Sequence, residues 1–188
     1  MGLLGLTVSL RKTVQGLKSM LTAALLIVFP FAMLYAAFSD LVSMTIANRV
    51  PVILSIAYVG LALALHIPAT EIALHLGVGL ACLAVTFGFF AAGWMGGGDA
   101  KLIAATALWF GPSTMLMEYL VIGSIYGGVL TMALLTARMN AIPNTGVDFV
   151  DHLLEQQTGI PYGIALGAAG LTTYSSSVWI DLALQSMA

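Results

Sequence analysis

Long uncharged runs alternate with short polar stretches along this chain. Residues 21–39, 50–65, 76–94, 116–137 and 160–180 are apolar runs that approach or reach the length of a membrane-crossing helix. A shorter run, 102–110, is stopped by Gly111-Pro112 and reads as a short fourth span. The pattern predicts an all-α fold: a polytopic membrane helix bundle of about six transmembrane helices, the short one following a glycine run. Residues 1–20 form a mildly apolar lead-in carrying Arg11, Lys12 and Lys18. A basic start before an apolar run also suits a secretory leader. Here the run exceeds the usual ~7–15 residues, so it is read as an uncleaved first span.

The connections are 40–49, a turn at 66–75 with Pro68, Thr70 and Glu71, and a polar loop over 138–159. Within that loop Val147, Val150 and Leu154 recur at helical spacing among Asp148, Asp151 and Glu155, which suggests a short helix on the membrane surface. Asn144-Thr145-Gly146 before it reads as a turn. The last run, rich in glycine and alanine, suits close helix packing in lipid. With no internal repeat, residues 1–188 read as one integral membrane domain.

Composition supports this reading. The chain is 60% hydrophobic and 7% charged, with a mean hydropathy of +1.03. A soluble domain carries roughly 25% charged residues. A net charge of −2 offers no basic footprint for nucleic acid. Cys82 is the single cysteine, which excludes an internal disulfide and a cysteine-based zinc cluster.

Chemistry has to come from the eight acids. Asp148, Asp151, Glu155, Asp181 and Glu71 fall in polar connections or near the end and read as solvated charge. Glu118 opens the fifth span, where a helix start favours an acid. Asp40 and Asp99 differ, because each sits at the edge of a long uncharged run. An ionised acid at mid-membrane costs about 2.5–3.5 kcal/mol on insertion scales, so such groups point to function. Position alone also allows helix capping. Topology separates the two readings: Asp40 follows the first span and Asp99 the third, so both lie on one face of the membrane. Two carboxyls that meet there cannot both ionise cheaply, and share a proton. One then draws a proton from water while the other donates to a carbonyl oxygen, the chemistry of peptide hydrolysis.

The run Gly96-Gly97-Gly98 before Asp99 fits this picture. It has no side chains to hold a substrate backbone away, and it permits positive φ where a helix must break. Lys101, two residues on, is an interfacial anchor or a charge that helps keep Asp99 ionised.

These residues carry a resemblance. Gly96-Gly97-Gly98-Asp99 is similar to the Gly-x-Gly-Asp signature of membrane aspartic proteases, and Met95 to Leu102 resembles that of prepilin peptidases in particular. Ser39-Asp40 followed by Ile46-Ala47-Asn48 resembles that family's first catalytic segment, with Ala47 where proline is common. Gly159-Ile160-Pro161-Tyr162-Gly163-Ile164-Ala165-Leu166 resembles its motif at the start of the final span. The likeness is closest to the short Flp/Tad-type forms. It implies that Asp40 and Asp99 are the catalytic pair; Gly96, Gly97, Gly98 and Lys101 beside them are expected where substrate backbone approaches. The implied reaction removes the basic leader of type IV pilin or pseudopilin precursors at the cytoplasmic boundary of a bacterial inner membrane. No metal or organic cofactor is implied. The double Cys-x-x-Cys segment tied to N-methyltransferase activity in longer forms has no counterpart here, so that activity is not expected.

Two other classes fit the same residues: a non-enzymatic membrane carrier or pilus-assembly factor, and a presenilin-type intramembrane protease. Arg49, Lys101 and Arg138 on the aspartate side balance Arg11, Lys12 and Lys18 on the other, so charge does not orient the chain. The resemblance places the aspartates at the cytoplasmic face. Asp148 with His152, and Asp151 with Glu155, stand four apart, but two ligands do not make a metal site. His66 and His75 flank the turn away from the aspartates. Trp94 and Trp179 read as interfacial.

Overall fold

A computed structural model describes residues 3–140, 146–155 and 157–187. The turn read at Asn144-Thr145 lies outside them, as do the side chains of Arg11, Lys12 and Lys18. The described chain is all-helical, with α1 (Leu3–Ser43), α2 (Arg49–Ala64), α3 (Ala69–Ala91), α4 (Gly97–Phe110), α5 (Thr114–Asn140), α6 (Asp148–Leu154), α7 (Tyr162–Tyr174) and α8 (Val178–Met187).

Three segments are long and apolar enough to cross a bilayer: Met20–Ser43 within α1, Ala69–Ala91 and Thr114–Met139. Their outward faces carry bare Phe31, Phe38, Leu80 and Val129, a surface suited to lipid tails. The remaining apolar helices are shorter. At ~1.5 Å per residue the 14 residues of α4 cover about 21 Å, less than the ~30 Å hydrocarbon core.

Two boundaries differ from the sequence pattern. The lead-in is not separate, because α1 is continuous from Leu3. The final run divides into α7 and α8 at Ser175-Ser176-Ser177. There Ser175 Oγ donates to the Thr172 carbonyl at 2.7 Å and Ser176 Oγ to that of Thr173 at 3.1 Å. Serine hydroxyls bonded back in this way compete with the helix. α3 also begins earlier than the pattern suggests, so Glu71 lies in its first turn.

Every residue of α4 from Asp99 to Phe110 except Lys101 is buried. Its alanines let neighbours come close. A Cβ on Gly79 of α3 would lie 2.5 Å from Leu108 Cδ2, so a larger residue there would have to displace the Leu108 side chain. On the other flank a Cβ on Gly167 of α7 would stand 2.7 Å from the Met33 carbonyl oxygen of α1. An aromatic cluster fills the centre: Phe29 stacks on Tyr174 at 4.3 Å, and Trp109 meets Trp179 edge-on at 5.3 Å. Trp179 is therefore interior rather than interfacial; its indole N–H donates to the Trp109 carbonyl at 2.7 Å. His75 is likewise drawn inward, with Nδ1 2.7 Å from the Leu108 carbonyl oxygen and its ring stacked on Tyr58.

Candidate active site

The site forms where the end of α1, the start of α4 and the start of α7 converge. α1 closes at Ser43 and Met44 takes a left-handed φ of 52°. Ser39 Oγ donates to the Thr45 carbonyl at 2.8 Å, folding the turn back beneath Asp40. Ile46 is thereby buried against Gly98, where a Cβ would lie 3.1 Å from Ile46 Cβ. The two segments that carry the acids thus pack directly on each other.

α3 ends in a glycine cap. Gly93 has φ 75°, its N–H donates to the Phe90 carbonyl at 3.0 Å, and the Trp94 N–H donates to that of Phe89 at 2.9 Å. This is the pattern in which a left-handed glycine satisfies the last carbonyls of a helix. The left-handed glycine is therefore Gly93, ahead of the triple run. Gly96 is extended, at φ −69° and ψ 143°, and caps α4. Gly97 and Gly98 already belong to the first helical turn and are covered by Phe90 and Ile46. Gly96 alone of the three stays exposed, and a Cβ there would lie 2.9 Å from Asp99 Oδ2.

Asp40 and Asp99 are both buried. The Gly163 backbone N–H, in the first turn of α7, donates to Asp40 Oδ2 at 2.7 Å. A Cβ at Gly163 would lie 2.8 Å from Asp40 Cβ, so this contact requires glycine. Asp99 sits in the first turn of α4, outside the three spanning segments. Burial pushes its carboxyl up to about 7, helped by the nearby Asp40 carboxylate and opposed by a backbone hydrogen bond from Gly96. The two acids are therefore within electrostatic reach of each other.

Asp99 opens into a cavity of about 660 Å³ bounded by α3, α4, α5 and α7. Its walls are mostly apolar, with Thr86, Ser124 and Tyr162 as polar points. Gly123 and Gly127 of α5 border it and let α7 pack close: a Cβ at Gly127 would lie 3.0 Å from the Tyr162 ring and one at Gly123 3.4 Å from Leu166 Cδ2. Tyr162 is tethered by its hydroxyl to Thr131 Oγ1 at 3.1 Å.

Lys101 is turned to the opposite face of α4, where its ammonium donates to Asn48 Oδ1 at 2.9 Å. It makes no ion pair with Asp99. On α6, His152 lies 3.5 Å from Glu155 with both side chains exposed. Among the described residues no three His, Cys, Asp or Glu side chains gather as a metal site.

Two positioning groups escaped the sequence reading. Gly163 was visible only as part of a resembling motif. Arg138 was counted only as a charge, yet it is buried and donates to the Leu153 carbonyl at 2.9 and 3.0 Å and to the Gly159 carbonyl at 2.8 Å. It ties the end of α5 to the strand of chain that leads into Gly163.

A family model described as the type IV leader peptidase family matches residues 27–132, a stretch that holds both acids. No curated protein and no solved structure matches the chain.

Proposed function

The chain belongs to the type IV leader peptidase family, and on that premise we propose that it is an aspartic endopeptidase that removes the basic leader of Flp-type prepilin-like precursors. The observation that carries this reading is the convergence of Asp40 and Asp99 in one buried site. Asp40 accepts the Gly163 N–H, a donor that suits an ionised carboxylate. It is the general base that draws a proton from water. Asp99, with its raised pKa, holds the shared proton and gives it to the carbonyl oxygen of the scissile peptide. Water adds to that carbonyl; Asp40 then passes the proton it took from water to the leaving nitrogen while Asp99 recovers a proton from a hydroxyl of the tetrahedral intermediate, so the C–N bond breaks and both acids return to their starting states.

The exposed Gly96 is where substrate backbone comes close to the acids. The cavity beside Asp99 receives the apolar segment that follows the leader. The acids face the cytoplasm in this account, because the basic leader remains on that side of the inner membrane.

Co-expression with a candidate precursor, followed by N-terminal mapping of the product, tests the assignment. A cut at the boundary between leader and apolar helix is expected. Cutting within the apolar helix would indicate presenilin-type proteolysis instead. No cleavage, together with a pH-dependent ion flux in liposomes, would favour a carrier.

A further inference from the structure

α2 and α3 pack on either side of α4 and leave a second groove between them, of about 500 Å³, on the face away from Asp99. Three helical faces build it. Pro51, Val52, Ser55 and Ile56 come from α2, and Leu76, Gly79, Leu80 and Leu83 from α3. The floor is Ala104, Ala105 and Leu108, small enough at the alanines to give the groove depth. Lys101 and Asn48 close one end.

That end carries an uncompensated charge. An ammonium has three donors, and Asn48 takes one. Among the described residues no carboxylate lies within 4.0 Å of Lys101. Arg49, one residue from Asn48, is turned instead to α1, where it lies over the Tyr35 ring at 5.1 Å and donates to the Tyr35 hydroxyl. The groove is thus an apolar track ending in a single cation, Lys101, beside the polar turns that close α1 and open α4. From Lys101 to Leu108 it runs about 10 Å at ~1.5 Å per residue, a third of the ~30 Å hydrocarbon core. A crossing helix needs a longer track, and a basic peptide would be repelled by Lys101.

We propose that this groove binds an anionic phospholipid, with an acyl chain along Ala104, Ala105 and Leu108 and the headgroup phosphate on the Lys101 ammonium. The site is separate from the one assigned to substrate and does not depend on that assignment.

The test uses the full chain, delipidated in a neutral detergent, titrated with phosphatidylglycerol and with phosphatidylcholine of identical acyl chains, and read by native mass spectrometry. Phosphatidylglycerol should bind about fivefold more tightly, the order expected for one lysine at an anionic interface. Lys101→Gln should erase that preference and leave phosphatidylcholine binding unchanged, and Lys101→Arg should restore it. Val52→Trp, which fills the groove, should weaken both lipids, and glycerol phosphate alone should not compete. Equal binding of the two lipids by the native chain, or a preference that survives Lys101→Gln, would overturn the proposal. So would full competition by glycerol phosphate, which marks a free-anion site. A Val52→Trp variant that changes oligomeric state but not lipid binding would assign the groove to a second copy of the chain.

Discussion

Asp40 and Asp99 are the same residue type in one site, yet the fold holds them differently. Asp40 comes from the last turns of a 41-residue helix and is held by a backbone donor from across the bundle, the Gly163 N–H at 2.7 Å. Asp99 comes from the first turn of a 14-residue helix, accepts its backbone hydrogen bond from the neighbouring Gly96, and opens into an apolar cavity. In the reading proposed above, a donor fixed from across the bundle suits a charge on Asp40, and the apolar cavity suits a proton on Asp99.

Neutralising either acid should have the largest effect. Asp40→Asn and Asp99→Asn are each expected to lower precursor processing at least ~10³-fold, within the range of general acid–base catalysis, while the protein still inserts. Immunoblots of precursor and product, with membrane fractionation, check both. Gly163→Ala should come next. Its Cβ would press on Asp40 Cβ at 2.8 Å, which a side-chain rotation cannot relieve. A shift of the carboxylate on the order of 1 Å costs about 10²-fold in rate, to be read in single-turnover cleavage.

Gly96→Ala should do less, about tenfold, because its Cβ meets only the Oδ2 end of Asp99 at 2.9 Å and the carboxyl can turn. Equal losses at the two glycines would erase the contrast between the acids. The smallest catalytic effect is expected from Arg138→Leu, which acts through the approach to Gly163. Two carbonyls lose their charged donor, so stability should fall by about 2–3 kcal/mol. A lowered thermal midpoint in detergent and a loss of processing of only severalfold would agree.

Much of this arrangement is legible in the sequence, and the rest is hidden for a physical reason. Apolar runs report escape from water, and they are the same for lipid and for protein neighbours. The runs therefore mark the long spans but cannot tell that α4 is enclosed while α3 faces outward. Trp179 and His75 are drawn into the bundle by partners far away in sequence, the Trp109 and Leu108 carbonyls. The break at Ser175-Ser176-Ser177 depends on hydroxyls folding back on the helix, which hydropathy does not encode. Asp40 and Asp99 stand out because a charge at the edge of an apolar run is rare. The Gly163 N–H does not stand out, because a backbone donor carries no sequence signal of its own.

Lys101 shows the limit of spacing arguments. Two residues from Asp99 places it on the other face of α4, so nearness in sequence becomes separation in space.

The most direct test is the pH dependence of single-turnover leader cleavage by the wild-type protein in bilayers. Asp99, raised to about 7, is protonated below that pH and ionised above it. The reaction needs this proton, so the rate should fall as pH rises through about 7, approaching tenfold per unit beyond it. A rate that stays level or climbs between pH 7 and 9 would contradict the division of labour between the two acids.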